Sequence, residues 1–391
     1  MTKIRKKYTF SPQIIIKAKE SRNRKCRWYV SLTFVLSLFF IPTSTLGYDV
    51  TEEFSVGGVL AGTYQYLSVN DAPDTSDGGK PAVSVQPEMS FRLTEVDAFF
   101  IKFGFAAGNG LNTKSPFALT VWDADLEDDV KDINGRNRDY LLTAWYKHTF
   151  QFREALALEL SGGLVDSTVY LDENAFANDQ YNQFLNAAFV NAPTGFFPTY
   201  DIGGALQLLY GKFSVNGVYM DVGKNDDDNN YQFCGIQLAQ ALESSLGKGN
   251  YRVTVDATSE DFLDTEGEHK DRLAAVTLSF DQQFGDIVGA FIRIGLQDDK
   301  AAVEWEKLYS GGINVSGGLW GRQQDNIGIG VAYLDGGNQD LDDSLVAEAY
   351  VRFVLNQFLA TTLDCQYLKD DVNGSKNPEG IIAGIRLTAE F

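Results

Sequence analysis

Apolar and polar residues alternate with a period of two along most of the chain, and this alternation restricts the fold more than any other feature. Successive side chains of a β-strand point to opposite faces, so such a segment has one apolar and one polar side. Near the end of the sequence the apolar face is formed by Ile381, Ala383, Ile385, Leu387, Ala389 and Phe391. The same pattern recurs around Phe54, Phe99, Tyr309 and Ile327. It predicts an all-β protein.

The connections between these segments are short and long in turn, which a soluble β-sandwich does not require. Short connections are predicted at Thr94–Asp97, Gln151–Glu154, Tyr210–Lys212, Phe284–Asp286, Trp320–Asp325 and Asn356–Gln357. Long polar loops are predicted at Asn70–Pro81, Gly108–Arg138, Asp166–Tyr200, Ser259–Asp271, Asp335–Ser344 and Asp370–Gly380. Outer-membrane barrels have short periplasmic turns and long outer loops, so this asymmetry favours a membrane barrel.

Aromatic and charged residues support the same interpretation. Tyr64, Tyr66 and Phe358 lie at strand ends, where membrane barrels carry interfacial aromatic girdles. Strand charges such as Lys102 and Arg293 fall on the polar face, where a wet lumen tolerates them and a sandwich core would not. We therefore predict an antiparallel transmembrane β-barrel of about 16 strands, wide enough for an aqueous channel. The strands are predicted to begin near Phe54, Val83, Ala98, Asp139, Ala155, Asp201, Phe213, Tyr231, Asn250, Arg272, Ile287, Leu308, Asn326, Leu345, Phe358 and Ile381.

The N-terminal segment has the features of a signal peptide. The first 47 residues are rich in Lys and Arg and contain one acid, Glu20. An apolar stretch, residues 28–41, is followed by Pro42 and small residues up to Gly47. The stretch is shorter than a membrane-spanning helix, so we predict removal of residues 1–47 rather than a retained anchor. Residues 48–391 are then one barrel domain in the outer membrane of a Gram-negative bacterium.

The third long loop carries a motif that resembles the carbohydrate-selective, OprB-like outer-membrane porin family. The matching residues are Leu171, Asp172, Asn174, Ala177, Asn178, Gln183, Phe184, Leu185, Val190, Asn191 and Pro193. Two further stretches, residues 125–148 and 318–330, are similar to the same family in a compatible order. The resemblance implies a sixteen-stranded diffusion channel for sugars, narrowed by a third loop that folds inward. Helical spacing from Phe176 to Ala188 predicts that this loop is partly helical.

A sugar channel needs weak binding rather than a catalyst, and its bore should carry hydrogen-bonding groups. The predicted constriction has two sides. The loop contributes Asp166, Tyr170, Asp172, Asn174, Asn178 and Gln183, and the inward strand positions contribute Lys102, Lys147, Arg252, Arg293 and Arg386. Acids on the loop facing bases on the wall would set an electric field across the constriction. Carboxylates, amides and guanidinium groups pair well with sugar hydroxyls.

Each of these residues also has a structural interpretation. Asp172 and Asn174 are favoured helix caps and could serve only that purpose. Phe176 and Phe184 could pack the loop onto the wall. The inward arginines could pair with lumen acids such as Glu348, and Trp145 could face either the lumen or a loop.

The charge and composition restrict the partners. After residues 1–47 the chain is strongly acidic, which disfavours nucleic acid. The acidic runs Leu126–Asp132, Lys224–Asp228 and Asp340–Asp343 fall in outer loops and match no EF-hand spacing. We expect no cofactor there, apart from non-specific divalent cations that bridge to lipopolysaccharide. Analogy with large porins predicts a homotrimer. The aromatic final strand ending at Phe391 is of the form that the barrel-assembly machinery is expected to recognise.

An enzyme is disfavoured because hydrolytic chemistry usually needs a histidine beside a nucleophile. The only histidines are His148 and His269, neither in a GxSxG context. Cys234 and Cys365 form no CxxC pair, so no metal site is predicted. The sequence therefore predicts a passive, carbohydrate-preferring channel for small polar solutes. A general diffusion porin is the alternative, and an adhesin or barrel enzyme is a more remote one.

Overall fold

The computed structural model describes residues 47–72 and 74–391. The predicted signal peptide, residues 1–47, therefore lies outside the described residues except for Gly47. Within these two ranges no helix is long and apolar enough to cross a membrane.

Sixteen long strands form one antiparallel sheet in the described part of the chain. The third is interrupted at Gly104, and a two-residue segment, Tyr48–Asp49, pairs with the start of the first. The strands are β1 (Phe54–Asn70), β2 (Gly78–Arg92), β3 (Asp97–Phe103 and Phe105–Ala107), β4 (Leu141–Arg153), β5 (Leu156–Val165), β6 (Asp201–Tyr210), β7 (Phe213–Val222), β8 (Tyr231–Ser244), β9 (Gly247–Thr258), β10 (Ala274–Phe284), β11 (Val288–Gln297), β12 (Trp305–Ser316), β13 (Asn326–Gly336), β14 (Leu341–Val354), β15 (Leu359–Val372) and β16 (Glu379–Glu390).

The sheet closes on itself through β1, which pairs with β2 on one side and with β16 on the other. Gly58 N donates to Phe391 O at 2.8 Å, and Phe391 N donates to Gly58 O at 3.1 Å. A side chain at Gly58 would place its Cβ 2.4 Å from the carbonyl oxygen of Gln86, so only glycine fits this seam. The predicted sixteen-stranded antiparallel barrel is confirmed.

Most strands begin within about three residues of the predicted positions. The larger differences are β2, which begins at Gly78 rather than Val83, and β14, which begins at Leu341 rather than Leu345. The Gly-Lys-Pro start of β2 has the composition of a loop, yet it pairs with the long β1 over residues 64–66. Pairing with β1 therefore extends β2 into residues whose own composition favours a loop.

The outward face of the sheet is an exposed apolar surface. On β13, Ile329 and Val331 are 48% and 49% exposed, whereas Ala332 between outward positions is fully buried. Leu363 on β15 and Ile385 on β16 continue the surface around the barrel. A belt of this kind suits the hydrocarbon of a bilayer and not water.

The two ends of the barrel differ as predicted. At one end the connections are short, for example residues 154–155, 211–212, 245–246 and 285–287. At the other end two long segments join β3 to β4 and β5 to β6; we name them L2 (residues 108–140) and L3 (residues 166–200).

The helix in L3 is shorter than the helical spacing predicted. The only α-helix there, α1, spans Ala187–Val190, with a 3-10 turn at Ser167–Val169. Earlier in L3 the side chains compete for backbone N–H groups: Asp179 Oδ1 accepts from Tyr181 N at 2.8 Å and Asn182 N at 3.0 Å. Such local bonds replace helical ones, so the expected helix from Phe176 does not form.

Candidate functional site

L3 is tied to the inward face of the barrel by a fully buried ion pair. Arg293 on β11 donates from Nε to Asp172 Oδ1 at 2.9 Å, and both side chains are 0% exposed. The same guanidinium donates to the carbonyl oxygens of Phe189 and Ala177. Asp172 Oδ2 also accepts from Ala192 N at 2.7 Å. The pair therefore joins two stretches of L3 to one strand.

Arg386 on β16 holds a second part of L3 through its backbone. Its guanidinium donates to the carbonyl oxygens of Gln180 and Gln183, the latter at 2.9 Å. Thr388 Oγ1 donates to Tyr181 O at 3.0 Å, one inward position further along β16. Arg386 is fully buried, and besides the two loop carbonyls it donates to Thr362 Oγ1 on β15 at 3.3 Å.

The part of L3 nearest the end of the barrel with short connections contacts β10. Asn174 Nδ2 donates to Ser279 Oγ at 3.2 Å, and Ala175 N donates to Asp281 Oδ2 at 3.3 Å. Arg252 on β9 donates to the same Asp281 carboxylate at 2.6 Å. Arg252 also lies 3.8 Å from Glu173 Oε2, a loop acid that sequence reasoning missed.

Two of the three amides predicted to bind solute, Asn178 and Gln183, donate to the loop's own backbone. Asn178 Nδ2 donates to Val190 O at 2.8 Å, and Gln183 Nε2 donates to Ala175 O at 2.9 Å. Asn178 N in turn donates to Gln183 Oε1 at 2.9 Å. These bonds hold L3 in an irregular but ordered path.

The capping role considered for Asp172 and Asn174 belongs to other residues. Asn186 Oδ1 accepts from Ala188 N at 3.0 Å and caps α1. Glu348 on β14 accepts from Leu185 N at 2.5 Å and from Asn186 N at 3.0 Å, which fastens the start of α1 to the wall. Asp166 caps the 3-10 turn through Thr168 N at 2.9 Å.

The aromatic side chains of L3 pack rather than face open space. The Phe184 ring lies 4.7 Å from that of Phe189 and 5.0 Å from that of Tyr350. Phe176 packs against the same cluster and lies over Gly289, where an added Cβ would be 2.2 Å from its Cζ. Phe184 therefore packs the loop onto the wall, which is the structural interpretation considered for it above.

L2 enters the interior beside L3, which sequence reasoning did not predict. Gln65 and Gln366, from β1 and β15, both donate to Val121 O at 2.9 Å. The two loops also pair directly, because Asp123 N donates to Leu185 O at 2.9 Å. The run of apolar residues at 117–122, inside a segment otherwise read as polar loop, was the available signal.

Burial changes the acidity of several loop groups. Desolvation raises the pKa of the Asp125 carboxyl to about 6, although Tyr200 donates to it at 2.8 Å. Desolvation likewise raises the pKa of Asp172, against the opposing charge of Arg293. It raises the pKa of Tyr170 to about 12, so this phenol is neutral and its hydroxyl can donate.

The lysines predicted for the wall lie on β3 and β4, whereas the arginines lie on β9, β11 and β16. Lys147 on β4 pairs with Glu159 on β5 at 2.7 Å. Lys102 on β3 is partly exposed, and no hydrogen bond or ion pair holds its ammonium among the described residues; Asp125 is within electrostatic range. Trp145 faces inward and stacks on Phe100, with ring centroids 5.2 Å apart.

The structure thus brings Asp172, Asn174, Asn178 and Gln183 together with the arginine wall. Tyr170, Lys147 and Lys102 lie on the other side of the interior. In the described ranges no group of three His, Cys, Asp or Glu side chains is placed to hold a metal ion.

Comparison with known proteins identifies relatives of the whole barrel. The chain is 28% identical over 317 residues to an "Uncharacterized protein" of Aquifex aeolicus (strain VF5), covering 80% of this chain and 84% of that one. A high-pH structure of Pseudomonas putida OprB is similar in fold, with a TM-score of 0.66, 14% identity and coverage of 87% of this chain and 94% of that one. Its low-pH structure has a TM-score of 0.53 and 13% identity, covering 87% and 93%.

Family assignment rests on the sequence match. The family described as "Carbohydrate-selective porin, OprB family" matches residues 93–391, from the end of β2 through β16. The matched region includes both interior loops and all the predicted site residues. The chain belongs to the carbohydrate-selective porin (OprB) family.

Proposed function

We propose that this porin passes small carbohydrates by passive diffusion, in preference to other polar solutes of equal size. The family consists of channels rather than enzymes, and a porin barrel implies a Gram-negative outer membrane. The observation that supports the proposal is the family match over residues 93–391, which include β3 to β16 and both interior loops. In this proposal L3 and L2 form the constriction, which is supported by their hydrogen bonds to inward-facing side chains of the wall such as Arg293, Arg386 and Gln65.

The site residues have two roles in this proposal. Arg293 and Arg386 position L3, because their guanidinium groups are enclosed and donate to loop atoms. Arg252 acts through Asp281 on β10, whose carboxylate also accepts from Ala175 N of the loop. Lys102 and Lys147 contact solute, Lys102 through an ammonium that is free to donate to sugar hydroxyl oxygens. The field across the constriction then runs from these lysines to the acids of the loops.

Liposome swelling tests the preference for carbohydrate. Proteoliposomes should swell faster in glucose than in a neutral polar solute of equal size without a pyranose ring. Equal rates would favour a general diffusion porin. Lys102→Gln should reduce the difference, whereas Lys131→Gln, at an exposed ion pair in L2, should leave it unchanged.

The same proposal includes an oligomeric state, a contact with lipopolysaccharide and a partner in barrel assembly. Porins of this size support a homotrimer by analogy of fold, and a single-barrel mass in native mass spectrometry would contradict it. Acidic outer loops would bind lipopolysaccharide through divalent cations without a dedicated site. Phe391 packs beside Gly58 at the seam, so its removal should impair barrel insertion by the assembly machinery.

A further inference from the structure

The interior wall of the barrel is covered unevenly by the loops. Gln237 on β8, Arg293 on β11, Glu348 on β14, Arg386 on β16 and Gln65 on β1 all hydrogen-bond to atoms of L2 or L3. These strands lie on one continuous part of the wall that runs from β7 through β16 to β2. Most of the hydrogen bonds that hold the loops therefore lie on that part, which we call the anchored part of the wall. Two further contacts reach the other part, from Arg136 to Asp201 on β6 and from Tyr170 to Ser161 on β5.

Solvent accessibility differs between the two parts of the wall. On the anchored part, inward-facing Thr277 and Arg293 are 0% exposed. On β5, inward-facing Glu159 and Ser161 keep 8% and 9% of their surface, and Gln207 on β6 is more exposed still. Inward-facing Gly163 on β5 is exposed as well. Water therefore reaches the interior more readily along this part of the wall than beside Thr277 and Arg293.

We propose that solutes cross the barrel along the β3–β6 wall, between that wall and the covering loops. This route presupposes the proposed function as a channel and specifies where in the barrel the solutes move. The wall there offers the Lys147–Glu159 pair, the amide of Gln207 and the ammonium of Lys102, which has no hydrogen-bond partner among the described residues. The stacked rings of Phe100 and Trp145 form the apolar part between them.

The chemistry of this strip suits a neutral polyhydroxylated solute. Lys102 and Gln207 supply donors, and Glu159 and the Gln207 amide oxygen supply acceptors. The opposite charges of Lys147 and Glu159 are 2.7 Å apart and largely cancel, so the strip does not demand a charged ligand. A sugar hydroxyl can donate and accept within the same short stretch of wall.

Single-cysteine variants test the route directly. The background carries Cys234→Ser and Cys365→Ser, since both native thiols are exposed. Lys102→Cys and Gln207→Cys lie on the proposed route. Thr277→Cys is the matched inward position on the anchored wall, where the native hydroxyl has no hydrogen-bond partner in the described structure and its loss breaks no hydrogen bond.

The probe is a small, positively charged methanethiosulfonate reagent, applied to channels in planar bilayers in KCl without sugar. Conductance should fall at Lys102→Cys and Gln207→Cys and stay unchanged at Thr277→Cys. Loss at Thr277→Cys, or none at the two route positions, would overturn the proposal. Because no sugar is present, this result is independent of the swelling test of carbohydrate preference.

Discussion

At the scale of single residues, the contact between Asp172 and Arg293 illustrates how the interior keeps charge without water. Both side chains are enclosed, and each guanidinium nitrogen has an oxygen partner in L3. Removing one member of such a pair leaves an uncompensated buried charge, which typically costs about 3–5 kcal/mol. Removing both charges together costs less, because neither is then left alone.

A double-mutant cycle should show this coupling. We expect Asp172→Asn and Arg293→Met each to release L3 from the wall, and the double variant to lose less than the sum of the two. The rate of proteolysis within L3, measured on the folded barrel in detergent, reports the release. Additive effects of the two substitutions would show that the ion pair does not anchor the loop.

Asp125 gives L2 a dependence on pH. Its pKa is raised from 3.8 to about 6, so the folded protein binds this proton more tightly than an unfolded chain does. The contribution to stability is fully present below pH 3.8 and is lost as the pH rises through about 6. The corresponding free energy is roughly 3 kcal/mol, since one pKa unit is 1.36 kcal/mol.

Thermal unfolding between pH 4 and pH 7 checks the direction of this dependence. The unfolding temperature should fall with rising pH in the parent protein and fall less in Asp125→Asn. Asp74→Asn, at an exposed carboxylate in another loop, should retain the dependence of the parent. The same slope in Asp125→Asn and the parent would assign the pH dependence to other groups.

At the scale of elements, α1 is too short to be stable alone and depends on its cap and on the wall. Asn186→Ala removes the bond to Ala188 N and a contact with Gln366, and should weaken α1 by about 1 kcal/mol. Amide hydrogen exchange in α1 should accelerate. Asn356→Ala, which removes a similar cap in the turn before β15, should leave exchange in α1 unchanged.

The strands could be predicted from the sequence, whereas the anchoring of the loops could not. Alternation is local, so each strand shows it in its own residues, such as Ile381–Phe391. The partner of Asp172 lies 121 residues away, and only closure of the barrel brings it near. The sequence therefore predicts Asp172 on the loop and Arg293 on the inward wall, with solute or an acid such as Glu348 as the partner of the arginine. It does not predict that these two residues pair with each other.

L2 shows a second limit of prediction from sequence. Its length and its acidic run Leu126–Asp132 are typical of an outer loop, and Asp125 stands out only as the first residue of the stretch 125–148 that resembles the porin family. In the structure Val121 accepts bonds from two opposite ends of the strand order, β1 and β15, which are neighbours only through β16. A pattern within L2 cannot reveal that pair of donors.

At the scale of the whole molecule, the barrel reverses the usual arrangement of a soluble protein. Its apolar side chains, such as Val331, face outward, while inward positions carry ion pairs and amide networks. Loops L2 and L3 supply the packing that a hydrophobic core gives elsewhere. Stability of the barrel in lipid therefore depends on the outer belt, and passage of solutes depends on the loops.

The outer belt predicts a dependence on depth for charged substitutions. Val331 lies near the middle of β13, so Val331→Lys should destabilise the barrel in lipid vesicles by about 2–4 kcal/mol. Ile327 lies on the same face of β13 next to the short connection, and Ile327→Lys should cost about 0–1 kcal/mol because the lysine reaches the interface. Denaturant unfolding of vesicle-inserted protein measures both values. If the two substitutions cost the same, this face of β13 does not cross the hydrocarbon of a bilayer, and the belt must be covered by something other than lipid.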